Sequence, residues 1–352
     1  MRALLLFLAG AMAAAAQPAI TYPGGITHPQ PRETLTFDVP VAVSGRVLLE
    51  DRQPPPEPVS VQYACHGDNR GSLTDARGRF SIPISSQRAA LTDVFTIPID
   101  VEGCLVEVRI PGFEELAVPL IKPKRASDLM LGDLTLKALG RQGNAAFSET
   151  GRSAPAKARA SYVHAAEAIN LGHYPDALLS LDKAIGAYPK YAAALLLKGL
   201  VSERMGQREA ARAAYQQAAA ADRAYSKPLV QLAELAAEEQ DPSQTAHYAG
   251  MANTLVPGAY PEMYLIEASS YFDLKRFEEA GKTAQAGIDA DPKAIYPALR
   301  KLQAEVLFQK RGYAAALELY QWYLKEAPAA ADIDSVQERI QACQRMVKAA
   351  AR

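Results

Sequence analysis

Apolar residues alternate in short runs between about Leu35 and Ala138, as in Val41-Ala42-Val43, Val47-Leu48-Leu49, Val59-Ser60-Val61, Phe80-Ser81-Ile82, Leu105-Val106-Glu107-Val108 and Leu134-Thr135-Leu136. A period of two predicts strands with one face turned to a core. Turn-forming clusters separate them: Pro54-Pro55-Pro56, Gly67-Asp68-Asn69, Arg77-Gly78 and Pro111-Gly112. Short strands at regular intervals predict an antiparallel β-sandwich over residues 35–138. From 139 to 157 the alternation stops and Gly, Ser, Asn and Pro collect, which reads as a linker. Beyond it Ala, Leu, Glu, Lys, Gln and Tyr dominate, and the apolar period lengthens to that of a helix.

The helical part repeats itself. Small residues at 177, 211, 245, 280 and 316 stand 34, 34, 35 and 36 residues apart, and Pro189, Pro257, Pro292 and Pro328 each follow 12 residues after theirs, with Arg223 as the exception. Two antiparallel helices packed closely need small side chains where their backbones approach, and proline stops the second helix. Gly199, Ala233, Ala268 and Ala304 supply the small positions of first helices; Gly172-His173-Tyr174, Gly206-Gln207-Arg208 and Asp241-Pro242-Ser243 read as turns within pairs. This pattern resembles the tetratricopeptide repeat family over about 158–329 and implies a solenoid of about five helical hairpins. An amphipathic segment with Ile333, Val336, Ile340, Cys343 and Val347 on one face reads as its capping helix, completing a unit over 158–352.

The strand-forming part carries a second resemblance. Ser44-Gly45-Arg46-Val47, Pro58-Val59-Ser60-Val61, Thr74-Asp75-Ala76-Arg77-Gly78-Arg79-Phe80 and Pro111-Gly112-Phe113 are similar to the carboxypeptidase regulatory-like domain, a transthyretin-like sandwich. Asp75 caps a tight turn, Gly78 supplies positive φ and Phe80 re-enters the core. That domain is a module appended to peptidases and brings no peptidase residues of its own.

Met1-Arg2 followed by an apolar run to Ala16 has the form of a secretory signal, residues 1–16, cleaved before Gln17; a Pro- and Gly-rich lead, 17–34, follows. A periplasmic or secreted location is therefore expected, and no later segment reaches membrane-spanning length. Export makes a disulfide the expected fate of Cys65 and Cys104, while Cys343 reads as a buried packing thiol. Thirty-eight Lys and Arg against 39 Asp and Glu leave no basic excess for nucleic acid.

No constellation for catalysis is present: there is no His-Glu-x-x-His helix, Gly-rich phosphate loop, Gly-x-Ser-x-Gly elbow or paired CxxC. The five histidines are scattered, and His66, Asp68, Asn69 and Asp75 read as turn residues. No cofactor or metal is expected, and the chain is read as non-catalytic. In the tetratricopeptide family the first helices line a concave groove, which places Tyr162, Ile169, Leu196, Leu200, Glu203, Val230, Glu234, Leu265, Phe272 and Phe308 on a surface for an apolar segment with basic flanks. Tyr162, Ala166 and Leu197 occupy positions where a carboxylate clamp would carry Lys, Asn and Arg, so that mode is not expected. The recurring Tyr191, Tyr225, Tyr260 and Tyr296 read as packing between hairpins. The sequence thus points to an exported scaffold for a peptide or partner protein, with self-association open. The alternative is a carbohydrate-binding or envelope-docking accessory using aromatics such as Tyr63, Phe80, Phe95 and Phe113.

Overall fold

The computed structural model describes residues 36–90, 101–121, 129–139 and 146–350; the signal-like segment and the lead lie outside the described residues. The N-terminal part is a strand-rich region in two sheets. In the first, β1 (Thr36–Leu49) lies between β4 (Arg79–Ala90) and β7 (Met130–Leu136), antiparallel to β4 and parallel to β7. The second runs β3 (Asp68–Leu73), β2 (Ser60–Cys65), β5 (Leu105–Val108), β6 (Leu116–Pro119), each pair antiparallel. The alternation seen in the sequence decides which side is covered: Val61 and Tyr63 are buried, Ser60 and Gln62 exposed. Val43, Val47, Phe80, Ile82, Val106 and Leu136 join Val61 and Tyr63 in one buried apolar cluster drawn from both sheets.

The turn from β3 to β4 shows why its residues are those. Asp75 Oδ1 accepts from the backbone N–H groups of Arg77 and Arg79, both at 2.8 Å, and Gly78 adopts φ +74°. A Cβ at Gly78 would lie 2.2 Å from the Val47 carbonyl oxygen, so no other residue fits without moving β1. A disulfide joins Cys65 to Cys104 on the neighbouring strand edge. The only candidate metal cluster among the described residues is Cys65, His66 and Cys104, and the disulfide takes both its sulfurs. His66 Nε2 meets the Glu102 carbonyl at 2.7 Å instead.

The C-terminal part is a helical solenoid. After the short α1 (Glu149–Arg152) come α2 (Ala156–Asn170), α3 (Tyr174–Ala187), α4 (Ala192–Arg204), α5 (Arg208–Ala221), α6 (Lys227–Glu238) and α7 (Pro242–Leu255), then α8 (Pro261–Asp273), α9 (Phe277–Ala290), α10 (Ala298–Gln309), α11 (Tyr313–Glu326) and α12 (Ile333–Ala350). The repeated small residues Ala177, Ala211, Ala280 and Ala316 are fully buried where paired helices meet. Thr245 takes the same place in α7 and disposes of its hydroxyl by donating to the Asp241 carbonyl at 2.6 Å. Val336 and Cys343 of α12 are buried against α11, closing the apolar end of the stack. Among the described residues no helix is long and apolar enough to cross a membrane.

Residues 146–155, part of the stretch read as a linker, are built into the structure. Ser148 is the N-cap of α1, accepting from Gly151 N–H. Asp222, from the end of α5, holds the same turn: its Oδ2 accepts from the Ser148 hydroxyl and Glu149 N–H, both at 2.8 Å. Thr150 Oγ1 in turn accepts from Ala192 N–H at the head of α4, at 3.0 Å.

Candidate functional site

The first helices of the pairs are α2, α4, α6, α8 and α10, together termed the layer of first helices; α8 packs against both α6 and α10. The side chains singled out from the sequence fall on this layer in three different settings. Tyr162, Leu196 and Val230 are buried, at 5%, 7% and 7% exposure, so they present little surface to any ligand. Ile169 and Leu200 are half-buried and line a cavity shared with the strand-rich region. Leu265, Phe272 and Phe308 are half-buried on α8 and α10. Phe272 meets Phe277 edge-on at 5.3 Å, Phe308 meets Tyr313 at 5.4 Å, and the Arg339 guanidinium of α12 stands 4.8 Å from the Phe308 ring centroid.

Carboxylates punctuate the layer. Glu203 accepts from the Tyr215 hydroxyl at 2.6 Å, and Glu305 lies 3.4 Å from Arg339. Glu234 and Glu262 are less well compensated. Partial desolvation of its carboxyl raises Glu234 above the ordinary range although the residue as a whole is exposed, with Glu262, Glu203 and Glu238 pushing the same way and a hydrogen bond from Gln231 opposing. Burial likewise raises Glu262, against bonds from its own backbone N–H and from Tyr296. A cation brought to this stretch would relieve that crowding.

The strand-rich region occupies the beginning of the same layer. Glu57, held in the run Pro54-Pro55-Pro56-Glu57-Pro58, is 3% exposed. One carboxylate oxygen accepts from Ser148 N–H at 2.5 Å and the other from the Tyr225 hydroxyl at 2.9 Å. Burial raises its pKa, Lys227 opposing. The same carboxylate lies near Tyr162 and Tyr191, whose hydroxyls are also pushed up, chiefly by burial. At the far end of α2, Asn170 grips Leu73 of β3 through two hydrogen bonds of 2.9 Å. None of Glu57, Ser148, Asp222 or Asn170 stands out in the sequence, because each is defined by a partner dozens of residues away.

Three of the four recurring tyrosines pack as the repeat demands, while Tyr296 is only half-buried. Tyr191 and Tyr225 are at most 1% exposed and Tyr260 is 4% exposed, its hydroxyl sharing a hydrogen bond with Ser226. Tyr63 and Phe80 are buried in the sheet core and Phe113 packs on Phe147, so no exposed aromatic row is seen among the described residues of the strands; Phe95 lies outside them.

Tetratricopeptide repeat family models match residues 162–227 and 261–293. The C-terminal half carries tetratricopeptide repeats. Both matches lie within the solenoid, and no match to the carboxypeptidase regulatory-like domain is found. Similar solved structures include a tetratricopeptide repeat protein from Parabacteroides merdae, at 16% identity, covering 55% of this chain and 75% of that one with a TM-score of 0.45. YrrB, described as a tetratricopeptide protein with an unusual peptide-binding site, has 16% identity over 51% of this chain and 90% of its own, with a TM-score of 0.45. MamA from Desulfovibrio magneticus has 12% identity over 51% and 99%, with a TM-score of 0.43. A comparison with curated protein sequences finds no match.

Proposed function

We propose that this chain is an exported, non-catalytic interaction scaffold whose repeats hold a peptide or a segment of a partner protein on the layer of first helices. The strand-rich region, read as a carboxypeptidase regulatory-like sandwich, is its fixed head. The observation that carries this reading is that the mutually packed α6, α8 and α10 carry both half-buried Leu265, Phe272 and Phe308 and the under-compensated carboxylates Glu234 and Glu262. Apolar anchors with crowded negative charge suit a segment that offers both apolar and basic side chains. Tetratricopeptide proteins typically serve as protein interaction scaffolds, which agrees with the repeats matched here. The signal-like N-terminus and the Cys65–Cys104 disulfide support export.

A photo-crosslinking residue at Phe272, compared with one at the exposed Leu179 of α3, tests the site in the full chain. The expected result is a protein partner captured from position 272, absent from position 179, and lost in Glu234→Lys with Glu262→Lys. Equal capture at both positions, or capture indifferent to the charge reversal, overturns the reading.

A further inference from the structure

Among the described residues β3 is an edge strand, since the sheet order β3-β2-β5-β6 gives it one neighbour. Thr74 N–H donates to the Val59 carbonyl at 2.9 Å at the foot of that pair. Along an antiparallel ladder, hydrogen-bonded and non-hydrogen-bonded pairs alternate. With Ser72 opposite Val61 and Arg70 opposite Tyr63, those residues turn their backbone groups to β2, and Leu73, Gly71 and Asn69 turn theirs outward. Leu73 shows the consequence. Its N–H donates to Asn170 Oδ1 and its carbonyl accepts from Asn170 Nδ2, so a side-chain amide of α2 stands where the peptide group of a further strand would stand.

The next outward-facing residues, Gly71 and Asn69, are exposed, and no other described group bonds to their backbone amides. They border a cavity of about 540 Å³, whose opposite wall includes Ile169, Leu197, Leu200 and Arg204 from α2 and α4. That volume is within the range of pre-formed ligand sites, about 300–1,000 Å³, which favour contacts between domains. Ser60 and Gln62 of β2 share the strand-side wall with Asn69 and Gly71, the apolar Ile169, Leu197 and Leu200 stand opposite, and Arg204 has no carboxylate partner among the described residues.

We propose that this crevice binds an extended peptide segment of a partner protein. The segment adds to β3 beside Gly71 and Asn69 as a short further strand, continuing the line begun by Asn170. Its alternate apolar side chains lie against Ile169 and Leu200, and an acidic residue meets Arg204. Only another extended backbone matches outward amides at strand spacing, and α2 shelters the edge so that a thin segment enters where a folded sheet would not. This rests on the scaffold reading and names a second site within it, with the partner's conformation.

The test selects a displayed library of random ten-residue peptides on the full-length protein and measures the enriched peptides by fluorescence anisotropy. Each is compared with two versions N-methylated at alternate residues. One version should lose at least ten-fold in affinity and the other should bind as before, because only every second amide faces β3. Leu200→Glu and Gly71→Pro should each weaken binding at least ten-fold, while Leu179→Glu, at an exposed position of α3, leaves it unchanged. Gly71→Pro removes an outward N–H and no ladder bond; if that variant does not fold, the N-methyl comparison decides. Peptides insensitive to both N-methyl patterns and to Leu200→Glu overturn the proposal. If they are lost instead with Phe272→Lys and Phe308→Glu, the scaffold reading stands and this site falls. If nothing is enriched, both fall. A wild-type dimer abolished by Gly71→Pro would make a second copy the occupant and likewise overturn it.

Discussion

Gly199→Ala puts two effects of opposite sign in competition, and the structure says which wins. Alanine in a helix interior is favoured over glycine by about 1 kcal/mol, and residue 199 lies in the middle of α4. Its methyl carbon, however, would lie 2.2 Å from Cε1 and 2.4 Å from Cδ1 of Tyr215. Carbon atoms rest at about 3.5–4.0 Å, so α4 or the ring must give by more than about 1 Å. Tyr215 has little freedom, being fully buried with its hydroxyl on Glu203. Overpacking of this kind costs about 1–3 kcal/mol and at times more; an anchored ring takes it to the upper end, leaving a net loss of about 2 kcal/mol. Gly186 in α3 is the control: a Cβ there meets nothing within 4 Å, so Gly186→Ala should stabilise by about 0.5–1 kcal/mol, or somewhat less this near a helix end. Urea unfolding followed by far-ultraviolet circular dichroism measures both, and hydrogen exchange of the α4 and α5 amides localises the loss. Tyr215→Leu should recover part of the Gly199→Ala deficit through a coupling of about 1 kcal/mol or more. A Gly199→Ala protein as stable as the parent would refute the claim that close backbone approach explains the small residue there.

Three further outcomes follow from the contacts. Asp222→Ala strands the Glu149 N–H and leaves the Ser148 hydroxyl with Thr150 Oγ1 alone, which should cost about 2 kcal/mol and speed exchange of the Glu149 amide; an unchanged amide would sink the account. Reduction of the Cys65–Cys104 bond, or Cys65→Ser with Cys104→Ser, opens a loop spanning 39 residues and should lower the stability of the strand-rich region by about 4 kcal/mol, measured by unfolding with and without reductant. Glu57 has its pKa raised in the folded state, so its contribution is complete below about pH 4.5 and declines as pH rises through the folded value. The stability of the parent relative to Glu57→Gln should therefore fall between pH 4.5 and 7.5 in urea titrations, and a rising difference would show that the carboxylate gains more from Lys227 and Tyr225 than burial takes away.

How much of this was legible in the sequence depends on whether a residue's partner lies at a repeated distance. Ala177, Ala211, Ala280 and Ala316 are constrained by the next helix of their own pair, and the same constraint returns every repeat; α12 is legible because Val336, Ile340 and Cys343 keep helical spacing on one face. The alternation of Ser60, Val61, Gln62 and Tyr63 is equally local. Glu57 is the opposite case: an acid among four prolines reads as solvated turn, and nothing nearby announces Tyr225, 168 residues on. Asn170 reads as a polar helix end, yet its amide completes β3 from 97 residues away. The repeat register says which positions share the layer of first helices, and says nothing of what lies upon them. That is why Tyr162, placed there with the same logic as Phe272, is buried near Glu57, while Phe272 keeps exposed surface. The same contact changes what a truncation can test. An array cut free at residue 158 would lose Ser148 and Thr150 from Asp222 and from the head of α4, and would lay bare Tyr162, Ile169 and Leu200, which the strands border in the intact chain. Binding gained by such a fragment would report a surface that the whole protein does not offer.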